Sequence, residues 1–153
     1  MPPDQFSPIE RSRVMRAVKS ANTTPELVVR RLVHAQGYRY RLHRRDLPGQ
    51  PDLVFARLGK AVQVHGCFWH RHACEAGRST PATRLDYWQA KFARNVARDR
   101  RSLRALRRRG WSVLVVWECQ TRLSNRAALE RRLARFLGAA AHGGPRNKTP
   151  KKN

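Results

Sequence analysis

The residues best suited to bind a metal ion are concentrated between positions 62 and 74, which read VQVHGCFWHRHAC. This segment holds three of the six histidines and two of the three cysteines of the chain. Three thiolates and one imidazole complete a tetrahedral structural site for Zn²⁺. The predicted ligands are Cys67, His72, Cys74 and Cys119. The spacing also permits His70 in place of His72, and buried free cysteines are the alternative to a metal site.

Two neighbouring predicted strands carry side chains suited to phosphodiester chemistry. Asp52 follows Pro51 at the start of the first strand, and the second strand ends at Val64 and His65. This arrangement resembles the two-strand core of the PD-(D/E)xK nucleases, in which a carboxylate on the first strand binds Mg²⁺ to polarise the scissile phosphate. The resemblance is incomplete, because Gln63 stands where an acidic residue is usual and His65 where a lysine is usual.

A single carboxylate is too few for a catalytic Mg²⁺ site, so a second acidic residue must come from elsewhere in the chain. Glu26, on a predicted helix, is the expected supplement. His65 or His70 could remove a proton from the attacking water, because imidazole titrates near neutral pH. Asp52 could instead be a turn or capping residue, which the local sequence alone does not exclude.

Three aromatic side chains, Phe68, Trp69 and Trp88, lie among polar and basic residues. Aromatic rings stack on bases or wedge between base steps, and a mispaired base is the easiest to unstack. We therefore predict that these rings contact DNA bases. Trp88 also falls on the apolar stripe of a predicted helix, so packing is the alternative for that residue.

The chain of 153 residues carries a formal net charge of +23, from 33 basic and only 10 acidic side chains. Such a charge attracts polyanions, and it destabilises the folded chain unless a polyanion or salt relieves it. Because 41% of the residues are hydrophobic, the chain is still globular, and nucleic acid is the leading partner. A solvated, arginine-rich surface is the alternative explanation for the basicity.

Four helices are predicted from the positions of proline, glycine and apolar residues. A serine or threonine before a proline begins each of the first two, and apolar residues at spacings of three, four or seven mark the third. The predicted helices cover residues 7–20, 24–36, 84–109 and 125–137. The first is rich in basic residues and poor in apolar ones, so it suits a helix that faces DNA, and a surface helix docked on the domain is the alternative.

Four strands are predicted at residues 38–43, 52–55, 60–67 and 111–118, and residues 74–83 are predicted to form a loop. The last strand is almost continuously apolar, as expected when both faces of a sheet are covered. The order of elements predicts an α/β fold with a mixed central sheet flanked by helices. Residues 1–137 are expected to form a single domain, and the basic, Gly/Pro-rich segment 138–153 a disordered tail.

The cysteine count and the hydropathy pattern bear on the cellular compartment. Three cysteines cannot pair completely, and neither a signal peptide nor an apolar run near twenty residues is present. We expect reduced thiols, a cytoplasmic location and no association with a membrane.

Several motifs that occur in one order resemble the very-short-patch repair (Vsr) endonucleases, a family of bacterial DNA mismatch nucleases. The match extends over nearly the whole chain up to about residue 120. Its motifs are RSRVMRAV at 11–18, LPGQPD at 47–52, HGCFWH at 65–70, PATR at 81–84, residues 91–101, GW at 110–111 and VWEC at 116–119. The resemblance implies a PD-(D/E)xK restriction-endonuclease-like fold with a structural zinc site. It also implies an enzyme that nicks DNA 5′ to a thymine mispaired with guanine, the product of 5-methylcytosine deamination.

The resemblance implies a role for each matching residue of the catalytic site. Asp52 corresponds to the principal Mg²⁺ ligand and His70 to the catalytic base, with Glu26 and His65 in support. The backbone carbonyl of Val64 corresponds to a further Mg²⁺ ligand. The implied zinc ligands are Cys67, His72, Cys74 and Cys119, which favours His72 over His70.

The resemblance also assigns residues to the DNA interface. The aromatic side chains that the family inserts beside the mismatch from the major groove are matched here by Phe68, Trp69 and Trp88. The family's helix that enters the minor groove is matched by Met15 and Val18. Lys91 and Asn95 lie where the family approaches the bases.

The substrate implied is double-stranded DNA with a T:G mismatch, which the chain would nick as a monomer at the bacterial nucleoid. Mismatch-repair factors are candidate protein partners. Two alternatives stay open: a zinc-stabilised DNA-binding module without catalysis, and a related nuclease with a different mismatch or site specificity.

Overall fold

The computed structural model describes residues 22–138. The predicted helix at 7–20, with Met15 and Val18, and the tail from residue 139 onward lie outside the described residues. Within residues 22–138, no helix is long and apolar enough to cross a membrane.

The described part of the chain contains four α-helices, four strands and three short 3-10 helices. The helices are α1 (Thr24–Ala35), α2 (Glu75–Arg78), α3 (Leu85–Arg108) and α4 (Arg126–Leu137). The strands are β1 (Arg41–Leu42), β2 (Leu53–Phe55), β3 (Lys60–His65) and β4 (Ser112–Trp117).

The four strands form one mixed sheet in the order β1-β2-β3-β4. The first two pairings are antiparallel, and β3 and β4 are parallel. A parallel pair needs a long crossover connection, which the 24-residue helix α3 supplies here. The predicted mixed α/β fold, a sheet flanked by helices, is therefore confirmed.

Helix α1 begins where the sequence predicts a capped start. The Thr23 side chain accepts a hydrogen bond from the Glu26 N–H at 3.4 Å, and Pro25 lies in the first turn. Gly37 follows the helix with a φ of +90°, which a side chain would disfavour. The cap orients the first turn, and with it Glu26, toward the sheet.

The two faces of the sheet are covered by separate apolar clusters. The larger cluster lies between the sheet, α1 and α4, and the smaller lies between the sheet and α3. Leu53 and Phe55 point to the first and Val54 to the second, as strand alternation requires. The buried members of the larger cluster are Val29, Val33, Tyr38, Leu53, Phe55, Val62, Val116, Leu129, Leu133 and Leu137.

Two predicted elements differ from the structure. The strand predicted at 38–43 is reduced to Arg41–Leu42, because His43 has a φ of +45° that ends the extended conformation. The loop predicted at 74–83 contains the single-turn helix α2, which is too short to show a hydrophobic period.

Gly49, in the turn that precedes Asp52, is predicted to tolerate a side chain less well than Gly59. A Cβ there would lie 2.7 Å from the Ser102 Cβ on α3, at a φ of +71°. Gly59 has a similar φ of +62° but nothing within 4 Å of its would-be Cβ. We expect Gly59→Ala to lower the free energy of unfolding by about 1–2 kcal/mol and Gly49→Ala by about 1–3 kcal/mol more. Urea unfolding of both variants measures the difference, and equal losses would contradict the proposed contact with α3.

Candidate functional site

Three cysteines and one histidine lie together at one end of the sheet. Cys67 follows β3 and Cys119 follows β4, and because these strands are parallel, their ends lie at the same edge. His72 and Cys74 come from the loop after β3. One ligand atom from each residue lies within 4.8 Å of the others. The structure thus brings together the four residues predicted to bind zinc.

His72, and not His70, is the histidine that contacts the cysteines. Its Nδ1 atom lies 3.5 Å from the Cys119 Sγ and 3.8 Å from the Cys67 Sγ. The Cys119 backbone N–H also donates to the Cys67 Sγ at 3.4 Å. Local geometry therefore favours one of the two histidines that spacing left open.

The thiols of this cluster differ strongly in acidity. Burial raises the pKa of Cys67 to about 12, whereas the Gly77 backbone N–H lowers the pKa of Cys74 to about 6. A metal dication among these sulfurs would stabilise every thiolate at once. The donor set, three thiols and an imidazole around one point, fits Zn²⁺.

A second cluster contains two carboxylates and an imidazole. Glu26 is almost fully buried on α1, and its Oε1 atom is hydrogen-bonded to both Arg30 Nη2 and His43 Nε2. The same His43 nitrogen lies 3.9 Å from the Asp52 Oδ1. One ligand atom from each of Glu26, His43 and Asp52 lies within 4.8 Å of the others. The carboxylates expected to act together therefore do meet.

The protonation of Asp52 reflects its crowded, negatively charged setting. Burial raises its pKa to about 6, and the Glu26 carboxylate acts in the same direction. The Val64 N–H opposes this shift by donating to the Asp52 Oδ2 at 2.7 Å. A cation would stabilise the ionised form of Asp52, and carboxylate oxygens are the ligands that Mg²⁺ prefers.

The remaining two catalytic candidates are stacked on each other. The rings of His65 and His70 have centroids 4.0 Å apart and are inclined by 9°. The Oδ2 atom of Asp99, on α3, lies 2.5 Å from the His70 Nδ1. Burial, then repulsion by His70, lowers the pKa of His65 to about 4. A neutral His65 therefore supports a His70 that is oriented by a carboxylate.

Trp117, at the end of β4, joins the cysteine cluster to the histidine pair. Its ring stacks on His72 at a centroid distance of 4.4 Å and meets the edge of His65 at 5.3 Å. A chain of ring contacts therefore runs from the predicted zinc ligand to the predicted base. Any shift of the loop that carries His72 would be transmitted to the imidazoles of His65 and His70 by packing.

The aromatic side chains predicted to contact DNA form one cluster over α3. Phe68 lies 5.0 Å from Trp69 and 5.9 Å from Trp88, measured between ring centroids. Trp88 is only 6% exposed, whereas Phe68 and Trp69 are half-buried. Trp88 thus supports the other two rings, whose outer edges reach solvent. Whether they contact bases stays a prediction.

Two polar residues of α3 hold Trp69 in place. Asn95 is buried and donates through Nδ2 to the Trp69 carbonyl at 3.1 Å. The Lys91 ammonium lies 5.4 Å from the Trp69 ring centroid. Both also line a groove of about 420 Å³ along α3, with Arg94, Ala97, Arg98 and Arg101. The groove is strongly basic and begins beside the aromatic cluster, as a surface for a phosphate backbone would.

Asp99 and His43 were missed by sequence reasoning, although each left a signal. Asp99 is the only acidic residue between Asp86 and Glu118, and it lies four positions after Asn95, on the same inward face of the helix. His43 ends the strand that precedes the Asp52 turn, and an antiparallel pairing places such residues opposite each other. Its backbone N–H donates to the Asp52 carbonyl at 3.2 Å.

Gly77 is predicted to be essential for the cysteine cluster. A Cβ at this position would lie 1.8 Å from the His72 carbonyl oxygen, so the loop that carries His72 and Cys74 would have to move. Gly66 is a matched control, because its would-be Cβ makes only an ordinary contact, 3.6 Å from Trp69. We expect Gly77→Ala to lower the free energy of unfolding by about 3 kcal/mol and Gly66→Ala by much less. Chemical denaturation tests this, and similar losses would refute the assigned role of Gly77.

The known proteins that this chain resembles are described as DNA mismatch endonucleases or as type II nicking enzymes. A family model described as DNA mismatch endonuclease Vsr matches residues 3–76. The type II nicking enzyme V.XorIIP of Xanthomonas oryzae is 52% identical over 134 residues, which are 88% of this chain and 96% of that protein. The DNA mismatch endonuclease Vsr of Escherichia coli is 41% identical over 79% of this chain and 80% of its own length. The type II nicking enzyme V.NmeAIP of Neisseria meningitidis is 38% identical over 88% and 94%.

Proposed function

Because the chain belongs to the Vsr family of DNA mismatch endonucleases, we propose that it nicks duplex DNA 5′ to the thymine of a T:G mismatch in a Mg²⁺-dependent reaction. The nick would start very short patch repair of deaminated 5-methylcytosine. That the chain is an endonuclease follows from its relatives, and it removes the alternative of a binding module without catalysis. The observation that carries the finer proposal is that the same chain holds two groups: a carboxylate pair, Glu26 and Asp52, and a histidine, His70, that is oriented by the Asp99 carboxylate.

The carboxylate pair is the proposed Mg²⁺ site. Asp52 and the Val64 carbonyl would hold the ion, with Glu26 in support, and the ion supplies charge stabilisation at the phosphate oxygens. The Val64 peptide supports this assignment because its N–H already contacts the Asp52 carboxylate. Because Glu26 is almost fully buried, solvent screens its charge weakly, and its attraction for a cation is correspondingly stronger.

His70 is the proposed general base. With its Nδ1 engaged by Asp99, the other ring nitrogen, Nε2, is left to accept a proton from the attacking water. The Asp99 carboxylate then stabilises the imidazolium that forms. His65 is kept neutral by burial, so it packs against the imidazolium that forms at His70 without repelling it.

The half-buried rings of Phe68 and Trp69 are the proposed wedge at the mismatch. Trp88 packs behind them, and Lys91 and Asn95 fix Trp69 from α3. A wedge must be rigid to unstack a base pair, at a cost of a few kcal/mol per step. The basic groove along α3 would position the phosphate backbone beside this wedge.

The catalytic roles are tested by single-turnover nicking of a T:G duplex. We expect Asp52→Asn to abolish nicking and His70→Ala to slow it by about 10²–10⁴-fold, the usual contribution of a general base. Asp86→Asn and His34→Ala are the matched controls, since both residues are exposed on other parts of the helices. Duplex affinity should stay close to that of the wild type in all four variants. Normal nicking by either catalytic-site variant would refute its assigned role.

The nicking enzymes among the relatives favour a second candidate, a nuclease of the same class with a different mismatch or site specificity. A panel of mismatched and fully paired duplexes in several sequence contexts separates the two candidates. If the wild type binds T:G duplexes tightly but nicks none, the T:G assignment fails. Monomeric action at the nucleoid and contact with mismatch-repair factors stay predictions.

Zinc and magnesium should affect the protein in different ways. We propose that Zn²⁺ bound by Cys67, His72, Cys74 and Cys119 braces the loop that carries the base and the wedge. Removing zinc with a chelator should therefore lower the Tm strongly, because structural zinc contributes folding free energy directly. Omitting Mg²⁺ should stop nicking and leave the Tm nearly unchanged. Equal thermal stability with and without the zinc chelator would defeat the structural-zinc assignment.

A further inference from the structure

His43 occupies a position in the carboxylate cluster that invites a direct role. It follows β1 with a φ of +45°, a left-handed conformation that is costly for a residue other than glycine. Its backbone N–H donates to the Asp52 carbonyl, so the residue is fixed opposite Asp52. The side chain is 27% exposed, against 2% for Glu26, so the imidazole lies at the open side of the cluster.

The Glu26 carboxylate is already engaged in hydrogen bonds, which weakens it as a ligand for a metal ion. Oε1 of Glu26 is shared between Arg30 and His43, and the Arg30 guanidinium also donates to the Asn22 Oδ1 at 2.7 Å. A carboxylate oxygen that is already bound to a guanidinium gives less electron density to a metal ion. An imidazole can add a ligand atom to a metal site without adding charge. The His43 Nε2 atom lies 3.9 Å from the Asp52 Oδ1.

We propose that His43 is a metal ligand of the Asp52 site, so that this site takes divalent transition ions of the Fe²⁺ and Co²⁺ class as well as Mg²⁺. A bound ion takes the place of the proton shared between His43 Nε2 and Glu26 Oε1. Imidazole suits such ions, whereas Mg²⁺ prefers an all-oxygen shell and retains several waters. His43 therefore strengthens binding of one class of ion selectively. The inference rests on the proposed Asp52 metal site and extends it to the choice of ion.

The alternative role for His43 is to position Glu26 by its hydrogen bond. Glutamine at this position can still donate a hydrogen bond to Glu26, but its amide is a poor ligand for a transition ion. His43→Gln therefore separates ligation from positioning. His34→Gln is the matched control, because His34 is exposed at the end of α1.

Binding of Co²⁺ and Mg²⁺ to the zinc-loaded full chain, measured by calorimetry with and without a nicked duplex, tests the proposal. We expect the wild type to bind Co²⁺ at least about tenfold more tightly than Mg²⁺, and His43→Gln to lose about tenfold or more in Co²⁺ affinity alone. The Co²⁺ form should also show a paramagnetically shifted imidazole N–H resonance that His43→Gln lacks. His34→Gln should match the wild type in every measurement.

Three results would overturn the inference in distinguishable ways. Unchanged Co²⁺ affinity in His43→Gln would show that the imidazole is not a ligand. Equal losses of Co²⁺ and Mg²⁺ affinity would show that His43 only positions Glu26. If neither ion binds the wild type, with or without the nicked duplex, the Asp52 metal site itself fails, and the proposed Mg²⁺ reaction fails with it.

Discussion

The parallel pairing of β3 with β4 is the constraint on which the rest of the site depends. Its register sets His65 opposite Trp117, so the residues that follow the two strands emerge side by side. Cys67 and Cys119 are separated by 52 positions in the chain, yet they meet because of this register. The loop after β3 must then return to the same point to supply His72 and Cys74. Its path places the aromatic cluster against α3, and His70 between His65 of β3 and Asp99 of α3.

The second organising feature is the use of a few carboxylates in a chain of very high positive charge. Glu26 is held by Arg30 and His43, Asp52 by the Val64 N–H, and Asp99 by His70. Each lies inside the site, where low solvent exposure strengthens its effect on neighbouring groups. The arginines stay on the outer surface of α3, where they form the basic groove. Within the site the carboxylates are accompanied by Arg30, and further positive charge lies around them on α3.

Local patterns in the sequence predicted the elements well because each pattern has a local cause. The capped start at Pro25, the apolar period of α3 and the apolar run of β4 lie close to their predicted bounds. The strand predicted at 38–43 is confirmed only at Arg41–Leu42, and it ends where His43, which contacts Glu26 and Asp52, takes a left-handed conformation. The prediction also missed α2, whose single turn has no period to detect. Local propensity cannot report a conformation that distant residues impose.

The sequence by itself determined the inventory of the site: four zinc-type ligands, a carboxylate pair, two histidines and three aromatic rings, within a mixed α/β fold. The tertiary structure decided which of these groups touch, although the family resemblance had already favoured His72 over His70 as a zinc ligand. It put His72 rather than His70 among the cysteines, paired His70 with Asp99, and added His43 to the carboxylates. The physical reason is that a side chain's chemistry follows from its type, whereas its neighbours follow from strand register and from the packing of α3 across the sheet edge.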